Sequence, residues 1–306
     1  MAGYAAMVRL FDARRVRAAL LAARVTAPTP DDHETDPVFV DLLDTPFETV
    51  DDAHDRLRAL ERRLRAAGDR RAVFPTIYTR MTHAVRAAID DGRFADPEWM
   101  RRYTVTFADY YRRAFLTFER GAYAAVPAPW RVAFDVAVAG DALVAQDAFL
   151  GINAHINYDL ALTLRDLGID PRRARKRADH DRIDDVLAGL VDAQQAALVD
   201  LYAPGLSAVD ATFGRFDEAF SLFSMTEGRA WAWRTAAVLT DVRAAPARAV
   251  TRWLHRAAAT GGARVIGSPP IDPAVLAALR RVERDRLSLD GALDALTDHL
   301  DAASGT

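Results

Sequence analysis

The sequence predicts an all-α fold, with roughly eight to ten helices packed around one core and a buried helix at its centre. Three observations carry this. Apolar residues recur at helical spacing along nearly the whole chain. Prolines and aspartates stand where helices should start. Long β-branched runs, which would mark strands, are absent. With 306 residues, 51% hydrophobic and 27% charged, the chain can bury a sizeable core.

The elements follow in order. Residues 1–25 carry Arg9, Arg14, Arg15, Arg17 and Arg24 against one acid, Asp12. They read as an amphipathic helix docked by Leu10, Val16, Leu20 and Leu21, with peripheral membrane contact through residues 3–24 as the other reading. The arginines interrupt the apolar run that a secretory signal needs. Residues 26–37, with two prolines and no periodicity in Thr26–Asp36, read as a linker to a single domain over 38–306. Helices are then expected over Val50–Ala67, Pro75–Asp91 and Pro97–Arg120, the last capped by Asp96. Pro129–Leu167 is a long apolar stretch that Gly140 can split and Gly168 closes. Further helices are expected over Pro171–Tyr202, Ser207–Asp241, Ala245–Ala259, Asp272–Arg286 and Ser288–Ala303.

Composition excludes several functions. Without cysteine there is no disulfide framework, thiolate zinc site, iron–sulfur cluster or thiol nucleophile. No charge-free run of about 18 apolar residues marks a membrane span. A pI near 6.2 and arginines interleaved with acids argue against nucleic acid as a partner. With neither signal nor span, the expected location is cytoplasmic. No phosphate loop, GxSxG elbow, HExxH or Glu-x-x-His pair is present.

The residue counts are lopsided. Of 40 basic residues only Lys176 is lysine and 39 are arginine, and asparagine occurs twice, at Asn153 and Asn157. Both lie in LGINAHINYDL, residues 150–160. Asparagine competes with the helix backbone for hydrogen bonds, so each amide implies a specific partner. At about 100° per residue, Gln146, Asn153 and Asn157 form a stripe, and His155 with Asp159 lies about 160° round. His and Asp four apart can present two ligands to a divalent metal such as zinc, or a carboxylate can orient an imidazole as a base. His180 and Asp184 repeat the spacing on the following helix, so the four side chains together are a candidate metal centre. The competing reading is a buried hydrogen-bond network that fixes helix register. In SMTEGRAWAWRTA, residues 224–236, Arg229 and Trp233 share a side and could line a pocket for a small molecule. His33, His54, His83, His255 and His299 carry no comparable signal.

GINAHINYDL, preceded by IYTRMTHAV and FADYYRRAF and followed by DHDRIDDVL and GRAWAWRTA, resembles a bacterial and archaeal domain-of-unknown-function family. The likeness covers about residues 45–245. Its signature is Gly-x-Asn-Ala-His-Ile-Asn-x-Asp-Leu. It implies Asn153, His155, Asn157 and Asp159 as defining positions, supported by Tyr78, Tyr111, Trp130, Arg229 and Trp233, and it implies no chemistry. Where that family tends to have Asn after the downstream helix start, this chain has Asp184 or Asp185. A looser likeness, in spacing and fold class, is to zinc-dependent phospholipases C and related all-helical zinc nucleases. There the residue before the aspartate is usually glycine, and here it is Tyr158. The function expected is therefore a metal-dependent hydrolase centred on His155 and Asp159, or a helical module that binds a small molecule or lipid, or a scaffold.

Overall fold

The computed structural model describes Arg17 and residues 36–206, 225–269, 273–286 and 288–304. Regular structure among these residues is entirely helical. In order come α1 (Pro37–Leu43), α2 (Val50–Ala66), α3 (Val73–Asp90), α4 (Pro97–Glu119), α5 (Ala128–Ala139), α6 (Val144–Ala154), a π turn (His155–Asp159) and α7 (Leu160–Leu167). They are followed by α8 (Arg173–Leu206), α9 (Met225–Asp241), α10 (Ala245–Gly267), α11 (Pro273–Arg286) and α12 (Leu289–Ser304). Counting α6, the π turn and α7 as one rod gives eleven helices among the described residues, slightly more than expected. The expected N-terminal helix, apart from Arg17, and nearly all of the expected linker lie outside the described residues, as does the segment from Ser207 to Ser224.

Local chemistry explains the starts. Asp36, Thr49 and Asp96 accept hydrogen bonds from the first-turn amides of α1, α2 and α4. Pro75 lies in the first turn of α3, where its missing N–H leaves no helical bond unmade, so α3 starts before it at Val73. Gly140, at φ 75°, ends α5 and separates it from α6. Helix α10 runs on past Ala259 because Gly261 and Gly262 are buried against neighbours, and tertiary packing outweighs their low propensity.

The rod runs from Val144 to Leu167. Every residue of Val144–Ala154 except Phe149 is buried. Its first half packs on α3, α5 and α10, and its second half on α4 and α9. Leu143, Leu150, Leu160 and Leu164 are fully shielded, each contributing about 2 kcal/mol by leaving water. Helices α3 and α12 also pack on α8. At the start of α8 the chain's lone lysine turns inward. Lys176 is 5% exposed and donates to the carbonyls of Gly168 (2.9 Å) and Asp170 (3.1 Å). Its ammonium lies 5.7 Å from the Trp99 ring centre.

Candidate functional site

The signature segment departs from α-geometry where its histidine begins. The Leu160 N–H donates to the His155 carbonyl, five residues back, which widens the helix by one residue in that turn. Side chains satisfy two of the turn's carbonyls. His255 Nε2 donates to Tyr158 O at 2.8 Å, and Thr163 Oγ1 donates to Asp159 O at 3.1 Å. The Tyr158 ring stacks on His255 with centroids 5.4 Å apart.

Two glycines let neighbours lie against this segment. A Cβ on Gly151 would stand 2.5 Å from Phe74 Cδ2, so the Phe74 ring rests on the rod's backbone. A Cβ on Gly228 of α9 would meet Asn157 Oδ1 at 2.7 Å and Ile156 Cγ2 at 2.8 Å.

The carboxamides face α10. Gln146 Oε1 accepts from Leu143 N (2.9 Å), and its Nε2 donates to Ile266 O (2.7 Å) in the last turn of that helix, where carbonyls lack helical partners. Asn153 Nδ2 donates to Ala259 O at 2.9 Å, and Asn157 Nδ2 donates to Asn153 Oδ1 at 3.1 Å. Gln146 and Asn153 join the rod to α10, and Asn157 braces Asn153 from within the rod.

The opposite face holds His155, 2% exposed, inside an aromatic cage. Phe107 stacks on the imidazole at 3.6 Å and 9°, and Tyr78 meets it edge-on at 4.5 Å. Phe74, Trp130 and Tyr111 lie at 5.5, 6.1 and 6.5 Å. Nδ1 is 3.1 Å from Asp159 Oδ2, which also accepts from Trp130 Nε1 at 2.7 Å. His155 Nε2, Asp159 Oδ1 and the Tyr111 hydroxyl are buried without hydrogen-bond partners. Burial drives the Asp159 carboxyl well above its ordinary range and the His155 imidazole well below its own. Both shifts favour a pair without net charge. Burial likewise pushes the Tyr111 phenol up, keeping it protonated.

His180 and Asp184 have different partners. His180 Nε2 donates to the Arg229 carbonyl (3.1 Å), which leaves Nδ1 to accept from the Tyr103 hydroxyl (3.0 Å). Arg229 Nε donates to Asp184 Oδ1 at 2.6 Å, and another Arg229 nitrogen donates to the His180 carbonyl. Burial lowers the His180 pKa well below the ordinary value, reinforced by the Arg229 charge. The Tyr103 hydroxyl is pushed up to about 12, chiefly by burial. This cluster clasps α4, α8 and α9 together. The four-residue metal centre expected from the sequence does not form, because both His180 nitrogens and the Asp184 carboxylate are already engaged. No group of three His, Asp or Glu side chains able to hold a metal occurs among the described residues.

Between the two clusters lies a partly enclosed cavity of about 50 Å³. Its walls are mostly apolar, among them Ile77, Met81, Val85, Ile183 and Leu187, with His155 on one side and Arg229 on another. Of the residues singled out in the sequence, Tyr78, His155 and Arg229 reach this wall. Asp159 stands behind His155, Gln146 and Asn153 serve the α10 contact with Asn157 bonded to Asn153, and Tyr111 belongs to the cage. Phe74, Phe107 and His255 gave no sequence signal of their own. For Phe74, the glycine of the signature was the available hint that something lies close to the helix.

Among the described residues no helix is long and apolar enough to cross a membrane. No curated protein and no solved structure matches the chain. Residues 50–269 match the family of unknown function DUF5995, to which this all-helical chain therefore belongs.

Proposed function

We propose that this protein binds a small, mostly apolar molecule in the cavity between α3, α4 and α8, with His155 at the polar end. The observation that carries this is a buried imidazole on an apolar wall whose Nε2 has no protein partner. A concave apolar site with few convergent polar groups is the usual form of a small-molecule pocket. N-phenyl-1-naphthylamine, a neutral dye that brightens in apolar surroundings, tests it. Saturable brightening is expected, and Ile183→Trp, which fills the cavity, should abolish it while the helical circular dichroism persists. Brightening that survives Ile183→Trp would overturn the reading.

A metal-dependent hydrolase, the other class raised by the sequence, requires three protein ligands with an open position. Among the described residues the His155–Asp159 pair is the most that stands together. That pair does favour a second, catalytic reading. A carboxyl group fixed by Trp130 orients the imidazole, as the ring of a general base is oriented. Hydrolysis of 4-nitrophenyl butyrate that is lost in His155→Leu, with dye binding kept, is the expected signature. Equal rates in both proteins would dismiss catalysis by this pair.

A further inference from the structure

The polar groups of the cavity wall define the ligand more closely, given the pocket reading above. Thr82 donates to the Tyr78 carbonyl at 2.9 Å and stands beside the Tyr78 hydroxyl. Thr104 donates to the Met100 carbonyl at 3.0 Å. The Tyr103 hydroxyl is held by His180, and Arg229 by Asp184 and the His180 carbonyl. Thr82, Thr104, Tyr103 and Arg229 are each engaged within the protein. His155 Nε2 is not, on a ring locked by Phe107, Tyr78 and the Asp159 bond. A buried polar atom without a partner is costly, and a ligand that supplies the partner recovers that cost on binding.

The wall also constrains charge. Among the described residues its one cation, Arg229, already faces the Asp184 carboxylate at 2.6 Å. A ligand carboxylate would find no unpaired positive group to offset its desolvation. A ligand ammonium would find no free carboxylate, because Asp159 lies behind the imidazole with its Oδ2 engaged by Trp130 and His155. A hydroxyl suits Nε2 in either tautomer, donating to the bare nitrogen or accepting from its N–H.

We infer that the ligand is an uncharged alcohol or phenol, whose single hydroxyl bonds His155 Nε2 while an apolar body fills the space between Ile77, Met81, Val85, Ile183 and Leu187. Neither a hydrocarbon nor a carboxylic acid of the same shape should match it.

Calorimetric titration of the full chain with ethylbenzene, 4-ethylphenol and 4-ethylbenzoate tests this. Ethylbenzene should bind weakly, 4-ethylphenol about tenfold tighter, as one additional net hydrogen bond implies, and 4-ethylbenzoate worse than either. In ¹⁵N-histidine-labelled protein, 4-ethylphenol should shift the His155 Nε2 resonance, and ethylbenzene should not. In His155→Leu the phenol's advantage should vanish with ethylbenzene affinity retained. If that variant does not fold, the three affinities and the resonance in the unaltered protein decide alone. Phenol binding no tighter than ethylbenzene, or benzoate binding tightest, overturns the inference and leaves the pocket standing. If none of the three binds, the pocket reading itself fails.

Discussion

His155–Asp159 and His180–Asp184 start from the same four-residue spacing, and both imidazoles are buried, at 2% and 1% exposure. In the first pair the members bond to each other, Trp130 donates to the same carboxyl oxygen, and one ring nitrogen and the second carboxyl oxygen have no partner. In the second, the imidazole bridges Tyr103 and a backbone carbonyl, and the carboxylate turns to Arg229. Helical spacing brings two side chains within reach. What they then bond is decided by the groups that other helices deliver. A guanidinium with a matched N–H outcompetes an imidazole for a carboxylate, and α9 delivers one to Asp184. The first pair is surrounded by rings that offer little competition.

The largest test of this contrast is Arg229→Met. It strands Asp184 and removes the donor to the His180 carbonyl, so about 4 kcal/mol of stability should be lost in urea unfolding. A loss under about 1 kcal/mol would show that the second cluster does not hold the fold together. Gly151→Ala forces a Cβ into the Phe74 ring and should cost about 2 kcal/mol, with displaced Phe74 and His155 side-chain resonances. An unperturbed cage would refute the close approach.

Leucine at the two histidines sharpens the comparison directly. His180→Leu unpairs two groups and should cost about 2 kcal/mol, whereas His155→Leu breaks one bond and should cost about 1 kcal/mol. The reverse order in denaturant midpoints would contradict the division into a structural and an unsatisfied histidine. The smallest effect is in pH. A histidine kept neutral by burial has a folded pKa below the unfolded 6.5, so the unfolded state binds the extra proton, and stability falls as pH drops below about 6.5. Replacing His180 should flatten that fall by about 1 kcal/mol per pH unit. An unchanged slope would mean that His180 is protonated in the fold.

Much of this arrangement is readable from residue order. Prolines and aspartates mark helix starts because their chemistry is local. The two asparagines stand out because the chain has so few, and they bond each other while Asn153 reaches α10, as a stripe on one helix face allows. The π turn is different. An added residue in one turn leaves the apolar period almost intact, and what holds it, His255 from α10, lies 97 residues away along the chain from Tyr158. The aromatic cage is hidden for the same reason. Phe74 and Phe107 each look like ordinary core residues until α3 and α4 bring them to one imidazole. The failure of the second pair to join the first depended on Arg229, whose partner could not be chosen from spacing alone.

The inward-turned Lys176 has a practical consequence. Amine-directed reagents find a single lysine side chain in 306 residues, and in the closed fold its nitrogen is occupied by two carbonyls and sheltered by Trp99. Acylation at that position therefore has to wait for the corner between α7 and α8 to open. Its rate under native conditions is a built-in clock for local unfolding there, readable by mass spectrometry from one modified peptide.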